Sequence, residues 1–171
     1  LSPTAPSRAT FARTSTARAG LLPSGIPTVS PEMLTIAAVI DRYGMHVVHV
    51  GEGCDCPDCS QSPVSPEERF GYTIGLTELG HPQLLVRGLD GRETATLLNR
   101  WGDLVLDGEP LDAGHLLCEG AGGTTWELVP VHRPLRTLRW AGLYYGPSGI
   151  DEVSALELIP ARRPCPCGSC G

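Results

Sequence analysis

The chain has 171 residues, of which 41% are hydrophobic, and this length allows one domain whose core needs neither disulfides nor metal to fold. Its 13 basic residues, all arginine, face 19 acidic ones, which argues against nucleic acid as the main partner because that binding depends on basic patches. No run approaches the ~20 apolar residues of a membrane-spanning helix, so no membrane partner is expected.

Residues 1–30 are rich in Ser, Thr, Ala and Arg and contain no acidic residue. This composition is typical of disordered tails and of organelle transit peptides. We prefer the tail because the segment has no clear amphipathic period, and we expect a cytoplasmic protein because it has no apolar secretory-signal region. The sequence predicts three parts: a disordered tail (1–30), one domain (31–160) and a Cys-rich tail (161–171).

The first ordered element is predicted in "SPEMLTIAAVIDRYG". Ser30 suits the N-cap of a helix, Pro31 suits its first turn, and Gly44 suits its end. Apolar residues at helical spacing then predict an amphipathic helix. The segment "MHVVHV" follows as a β-rich run.

The remaining elements alternate in type along the chain. "FGYTIG" and "QLLVRGL" are predicted strands, and Asp90 is the predicted N-cap of a helix through "GRETATLLNRWGDLVL". "PLDAGHLLCEGAGG" is ambiguous. "TTWELVPVH" predicts a strand, "LRTLRWAGLYYG" a helix and "VSALELIPA" a last strand. About five strands and three helices in mixed order predict a single α+β domain with a mixed or antiparallel sheet.

Two cysteine triplets share the spacing Cys-x-Cys-x-x-Cys, in "CDCPDC" and "CPCGSC". A Cys-x-x-Cys pair allows two thiolates to bind one soft cation, and Pro57 and Gly168 are turn-forming residues between the paired cysteines. We therefore predict that the triplets meet around zinc, in a binding or regulatory domain. The candidate ligands are Cys54, Cys56, Cys59, Cys165, Cys167 and Cys170.

Other interpretations of the triplets stay open: disulfide or redox chemistry, an iron–sulfur cluster, and exposed thiols without a shared role. Zinc is preferred over disulfides because a reducing compartment disfavours structural disulfides. The seventh cysteine, Cys118 in "HLLCEG", is interpreted as a small buried apolar residue rather than a ligand.

The run "FGYTIGLTELGHPQLLVRGL", followed by "LLN" in a helix and later by "LYYG", resembles the bacterial domain-of-unknown-function family 4262. The resemblance extends from about Ile40 to Pro160. It implies a small soluble α+β protein and implies no activity. The two cysteine triplets are a departure from the family pattern, so the metal hypothesis does not come from the family.

A pocket near the most specific part of this motif is the alternative, enzymatic hypothesis. His81 lies in a Gly-His-Pro turn, which would hold its ring beside the strand "FGYTIG". Tyr72, Thr73 and His81 would line the pocket, and Arg87 could bind an anion there. The competing interpretation is that His81 only satisfies backbone groups of the turn. The sequence names no substrate, partner protein or oligomeric state.

Overall fold

The computed structural model describes residues 30–51, 65–120 and 123–162. Within them the chain forms three α-helices and six β-strands. No helix in these ranges is both long and apolar enough to cross a membrane. The elements are α1 (Pro31–Tyr43), β1 (His46–Val50), β2 (Phe70–Ile74), β3 (Gln83–Arg87), α2 (Gly91–Leu106), β4 (Leu116–Cys118), β5 (Thr125–Pro130), α3 (Arg139–Gly149) and β6 (Ala155–Pro160).

Local signals set the ends of the first two helices. The Ser30 hydroxyl accepts a hydrogen bond from Met33 N–H at 3.3 Å, and Gly44 ends α1 with φ +87°. A left-handed residue at this position is the usual helix stop, and glycine adopts it without a steric cost. Asp90 caps α2 in a reciprocal capping box with Glu93. The predicted starts of both helices are therefore confirmed.

The six strands form one mixed sheet in the order β1-β2-β3-β6-β5-β4. All neighbours are antiparallel except β3 and β6, which are parallel. The predicted α+β class and the three helices are confirmed, and the strand count is one above the predicted number. The additional strand is β4, which lies in the segment whose sequence was ambiguous. It forms because β5 offers it a partner at the edge of the sheet.

Helices cover both faces of the sheet, but not equally. α2 packs on one face through Leu97, Leu98 and Trp101, and this core continues across β3, β6, β5 and β4. α1 and α3 pack on the opposite face, where their core reaches β2, β3 and the start of β6. Side chains alternate between the faces of a strand. On β4 and β5, the half-buried residues of the second face belong to neither core; they are Leu116, Cys118, Thr125, Glu127 and Val129.

Candidate functional site

One end of the sheet, which we call the cysteine end, joins the strands to the cysteine-bearing segments. The antiparallel and parallel pairings put the end of β1, β3, β6 and β4 beside the start of β2 and β5. Gly51 follows β1 there, and Arg162 follows β6 by two residues. The strand residues that define the cysteine end are Val50, Phe70, Arg87, Pro160, Thr125 and Cys118.

Both predicted cysteine triplets lie outside the described residues, in segments 52–64 and 163–171. In the part of the chain that the structure describes, no group of three or more His, Cys, Asp or Glu side chains could hold a metal ion. The zinc prediction for the six triplet cysteines therefore stays a prediction. What the structure adds is the position of the residues from which the two segments leave the domain.

These attachment points are close enough for the triplets to meet. β1 and β6 are three strand spacings apart in the sheet, which corresponds to about 14 Å. Cys54 follows Gly51 by three residues, and Cys165 follows Pro160 by five. Extended chain covers about 3.3 Å per residue, so the two tethers together can span about 26 Å. The separation of the attachment points does not prevent a shared site.

The structure corrects the interpretation of Cys118. This residue is half-buried and disulfide-bonded rather than a buried apolar side chain. Its Sγ lies 4.0 Å from the Thr125 hydroxyl on the face of the sheet that α2 does not cover. The chain has seven cysteines, and Cys118 is the one within the described ranges.

A shallow cavity lies on the same face, beside Cys118. Its volume is about 380 Å³. Apolar side chains, a carboxylate and a guanidinium contribute to its lining, and its rim reaches the last described residue of the chain. The lining residues are Gly114, Leu116, Glu127, Ile159, Pro160 and Arg162.

The motif residues come together at the opposite end of the sheet, in a hydrogen-bond network. Tyr145 of α3 accepts a bond from Gly75 N–H at 2.9 Å and lies 3.1 Å from the Gln83 amide. The Gln83 amide forms the largest number of hydrogen bonds in one orientation. Its oxygen then accepts from Tyr145 Oη at 3.1 Å and from Thr77 N–H at 3.0 Å, and its nitrogen donates to Thr73. Thr73 and Gln83 are fully buried. The network therefore joins "GYTIG", the start of β3 and "LYYG".

Tyr72 and Thr73, two of the predicted pocket residues, are fully buried. The Tyr72 hydroxyl accepts a hydrogen bond from Trp140 N–H at 3.0 Å. Burial raises the pKa of Tyr72 above its usual value near 10, so this hydroxyl stays neutral. The Thr73 hydroxyl accepts from Leu84 N–H at 2.9 Å. Both side chains thus bind protein groups inside the domain.

His81 is held between two backbone groups. Its Nδ1 lies 2.7 Å from the Pro82 carbonyl oxygen, and its Nε2 accepts a bond from Leu111 N–H at 3.1 Å. These contacts make Nδ1 the donor and Nε2 the acceptor of the ring. Both ring nitrogens are occupied, so the geometry matches the structural interpretation of the Gly-His-Pro turn.

Arg87 lies at the cysteine end, away from the motif network. Its Nε is 3.1 Å from the Glu157 carboxylate, and its guanidinium lies 5.5 Å from the centre of the Phe70 ring. The structure therefore pairs Arg87, the predicted anion-binding residue, with the Glu157 carboxylate of the neighbouring strand. It does not bring Arg87 together with His81.

Sequence reasoning missed Gln83 and Tyr145 as parts of the network. A signal existed for each: Gln83 is a polar residue at the start of the apolar strand "QLLVR", and Tyr145 belongs to "LYYG". Neither pattern tells which residues they contact. Their common partner region, Gly75 to Thr77, is about 70 residues away from Tyr145 in the chain.

A family model described as a domain of unknown function, DUF4262, matches residues 39–163. The chain belongs to this family. The match confirms the resemblance seen in "FGYTIGLTELGHPQ" and the residues around it. The DUF4262 range includes the first cysteine triplet and ends before Cys165, so the second triplet lies beyond it. No curated protein and no solved structure matches the chain.

Proposed function

We propose that this DUF4262 protein is an accessory or regulatory domain that binds zinc, or another thiophilic metal ion, through its two cysteine triplets. The observation that supports the proposal is the common attachment of both triplet segments to one end of the sheet. Gly51 begins the path to the first triplet, and Arg162 begins the path to the second. A rigid sheet holds these two starting points within reach of each other.

The chemistry of the proposed site requires thiolates from both segments. Zinc in structural sites binds four ligands, most often cysteine and histidine. The pairs Cys56/Cys59 and Cys167/Cys170 would supply four sulfur ligands, with Cys54 and Cys165 as additional donors. Because the ligands must be deprotonated and reduced, the proposal goes together with a cytoplasmic, reducing location.

The test is the metal content of the full chain purified under reducing conditions. We expect at least one zinc ion per chain by elemental analysis. Cys56→Ser and Cys167→Ser should each abolish binding, because each removes one member of a different pair. Under these reducing conditions Cys118→Ser is the matched control, since it removes one cysteine but leaves all six triplet cysteines in place, and it should retain the metal.

Metal-free protein with freely titratable triplet thiols would refute the proposal. Bound iron together with a visible absorption band would instead show that the triplets hold an iron–sulfur cluster. Thiol redox chemistry is the second candidate function, and the disulfide of Cys118 is the observation that favours it. The enzyme hypothesis for Tyr72, Thr73 and His81 stays a prediction. In the structure the polar atoms of these side chains bind backbone groups and Gln83.

A further inference from the structure

β1 is the longer of the two edge strands of the sheet, and no described strand pairs with its outer side. In the described sheet, β1 and β4 each have a neighbouring strand on one side only. β4 has three residues, whereas β1 has five and contains no proline, lysine, arginine, aspartate or glutamate. Such residues, or a very short strand, usually protect an edge, because an open edge can pair with another chain. The sequence of β1 supplies neither protection.

The direction of the backbone groups of β1 follows from the contact between Val48 and Gly71. A Cβ atom placed on Gly71 of β2 would lie 3.0 Å from the Val48 carbonyl oxygen, so this oxygen points toward β2. Backbone groups alternate in direction along a strand. The N–H and C=O of Val47 therefore point away from β2, where an added strand would bind them by main-chain hydrogen bonds.

One cavity, of about 340 Å³, lies along this edge beside α1 and α3. It touches four consecutive residues of β1, 46–49. Neighbouring side chains of a strand point to opposite faces, so a cavity that touches all four reaches the edge of the strand. Ile36 and Trp140 make part of its wall apolar, and Glu32 adds a carboxylate.

A second cavity, of about 580 Å³, extends around the same edge toward α2. Its wall includes Tyr43 of α1 and both Asn99 and Asp103 of α2. These helices pack on opposite faces of the sheet, so they can line one cavity only around the edge strand. Met45 supplies an apolar part of the wall, and Val47 borders both cavities. We call the two cavities together the β1 groove.

The groove combines apolar walls with negative charge. Apart from histidine, its charged lining residues are Glu32 in the first cavity and Asp103 in the second, and both are exposed. Within residues 30–51, 65–120 and 123–162, no ion pair joins either carboxylate to a basic side chain. Arg42 of α1 instead lies over the Tyr43 ring, 5.1 Å from its centre. Such a surface fits a side chain that has a long apolar stem and a cationic end.

We propose that the β1 groove binds an extended peptide segment of a partner protein, which adds a strand to β1 and places one basic side chain in each cavity. Glu32 and Asp103 belong to helices on opposite faces of the sheet. Because side chains alternate along a strand, the two basic residues of the partner stand an odd number of positions apart. The proposal goes beyond the metal site and does not depend on it.

A second copy of the chain fits the groove less well. Symmetric antiparallel pairing of β1 with itself would keep equivalent faces of the two sheets on the same side. The Glu32 carboxylates of both copies would then lie on one face of the joined sheet, and the Asp103 carboxylates on the other. Like charges brought together in this way are destabilising, whereas a basic peptide neutralises them.

The test uses the full chain and three short synthetic peptides of valine and threonine. The first carries two arginines three positions apart, the second has glutamate in place of each arginine, and the third repeats the first with N-methylated backbone amides. We expect the arginine peptide to bind in calorimetry and to slow hydrogen exchange of β1 while leaving β4 unchanged. The other two should not bind, because one reverses the charge and the other prevents strand pairing.

Variants of the protein separate the two parts of the interaction. Asp103→Asn and Glu32→Gln should each weaken binding by up to about fivefold, the range of an exposed ion pair. Asp112→Asn is the matched control, since it removes an exposed carboxylate near the opposite edge strand, β4, and it should leave binding unchanged. Val47→Pro removes the outward N–H, which an edge strand tolerates, and should abolish binding. Circular dichroism checks its fold, and the N-methylated peptide tests strand pairing without any substitution.

Several outcomes would overturn the proposal. These are no binding of the arginine peptide, equal binding of the glutamate or N-methylated peptide, and protection from exchange away from β1. Unchanged binding in both carboxylate variants would also exclude the groove as the site. A dimer in sedimentation experiments, with β1 protected before peptide is added, would assign the edge to a second copy and overturn the proposal.

Discussion

The hydroxyl of Tyr145 offers the sharpest test of the motif network. Tyr145→Phe removes one oxygen atom and keeps the aromatic ring, so it changes hydrogen bonding and little else. The lost atom accepts from Gly75 N–H at 2.9 Å and donates to the Gln83 amide oxygen, 3.1 Å away. Burial raises the pKa of Tyr145 above its usual value near 10. The hydroxyl is therefore neutral, and the effect of the substitution should not depend on pH near neutrality.

The expected loss follows from the two bonds. Gly75 is buried, and a buried N–H without a partner costs about 1–3 kcal/mol. The Gln83 oxygen keeps its contacts with Thr77, so the second bond contributes only about 0.5–1 kcal/mol. We expect the free energy of unfolding to fall by about 2–3 kcal/mol. For a domain of this size, that corresponds to a decrease in Tm of about 4–12 °C.

The neighbouring tyrosine is the matched control. The ring of Tyr144 packs against that of Tyr145 at 5.0 Å, but its hydroxyl donates to Glu78 on the exposed surface at 3.0 Å. Tyr144→Phe therefore removes a bond that water can replace, and should cost less than about 0.5–1 kcal/mol.

Urea unfolding followed by tryptophan fluorescence measures both variants, and calorimetry gives the change in Tm. Equal losses for the two variants would refute the reasoning, since they would show that the bonds to Gly75 and Gln83 are worth no more than a surface contact. A larger loss in Tyr144→Phe would contradict the assigned network outright.

Three further predictions concern single residues and the N-terminal segment. His81→Ala should lower the free energy of unfolding by about 1–2 kcal/mol, measured with urea, because Leu111 N–H loses its acceptor; no change would refute the structural role. Burial lowers the pKa of His46 below 6.5, so the unfolded chain binds its proton more readily and stability falls as the pH drops below about 6.5. His46→Gln should flatten this acid slope in urea titrations, and an unchanged slope would contradict the assignment. Deleting residues 1–28 should barely change the Tm, because the two described cores lie between Ile36 and Leu158; a large decrease would show that the segment packs on the domain.

Short-range patterns account for the parts of the fold that were predicted correctly. Ser30 and Gly44 define α1, and Asp90 starts α2, because a helix cap requires only neighbours within four residues. The alternating and apolar runs located the longer strands in the same way. These signals depend on backbone groups near in sequence, so the sequence alone determined the helices, most strands and the α+β class.

The tertiary structure decided which of these pieces touch. β4 is a strand because β5 pairs with it, and three residues of its own could not specify that. His81 Nε2 accepts a hydrogen bond from Leu111 N–H, 30 residues away in the sequence. The Tyr145 hydroxyl accepts one from Gly75 N–H, 70 residues away. The sheet order places Gly51 and Arg162, the described residues that border the two cysteine-bearing segments, at one end of the sheet, and Cys118 lies at the same end. Contacts of this range depend on strand order and on which faces are buried together, and no local spacing of residue types encodes them.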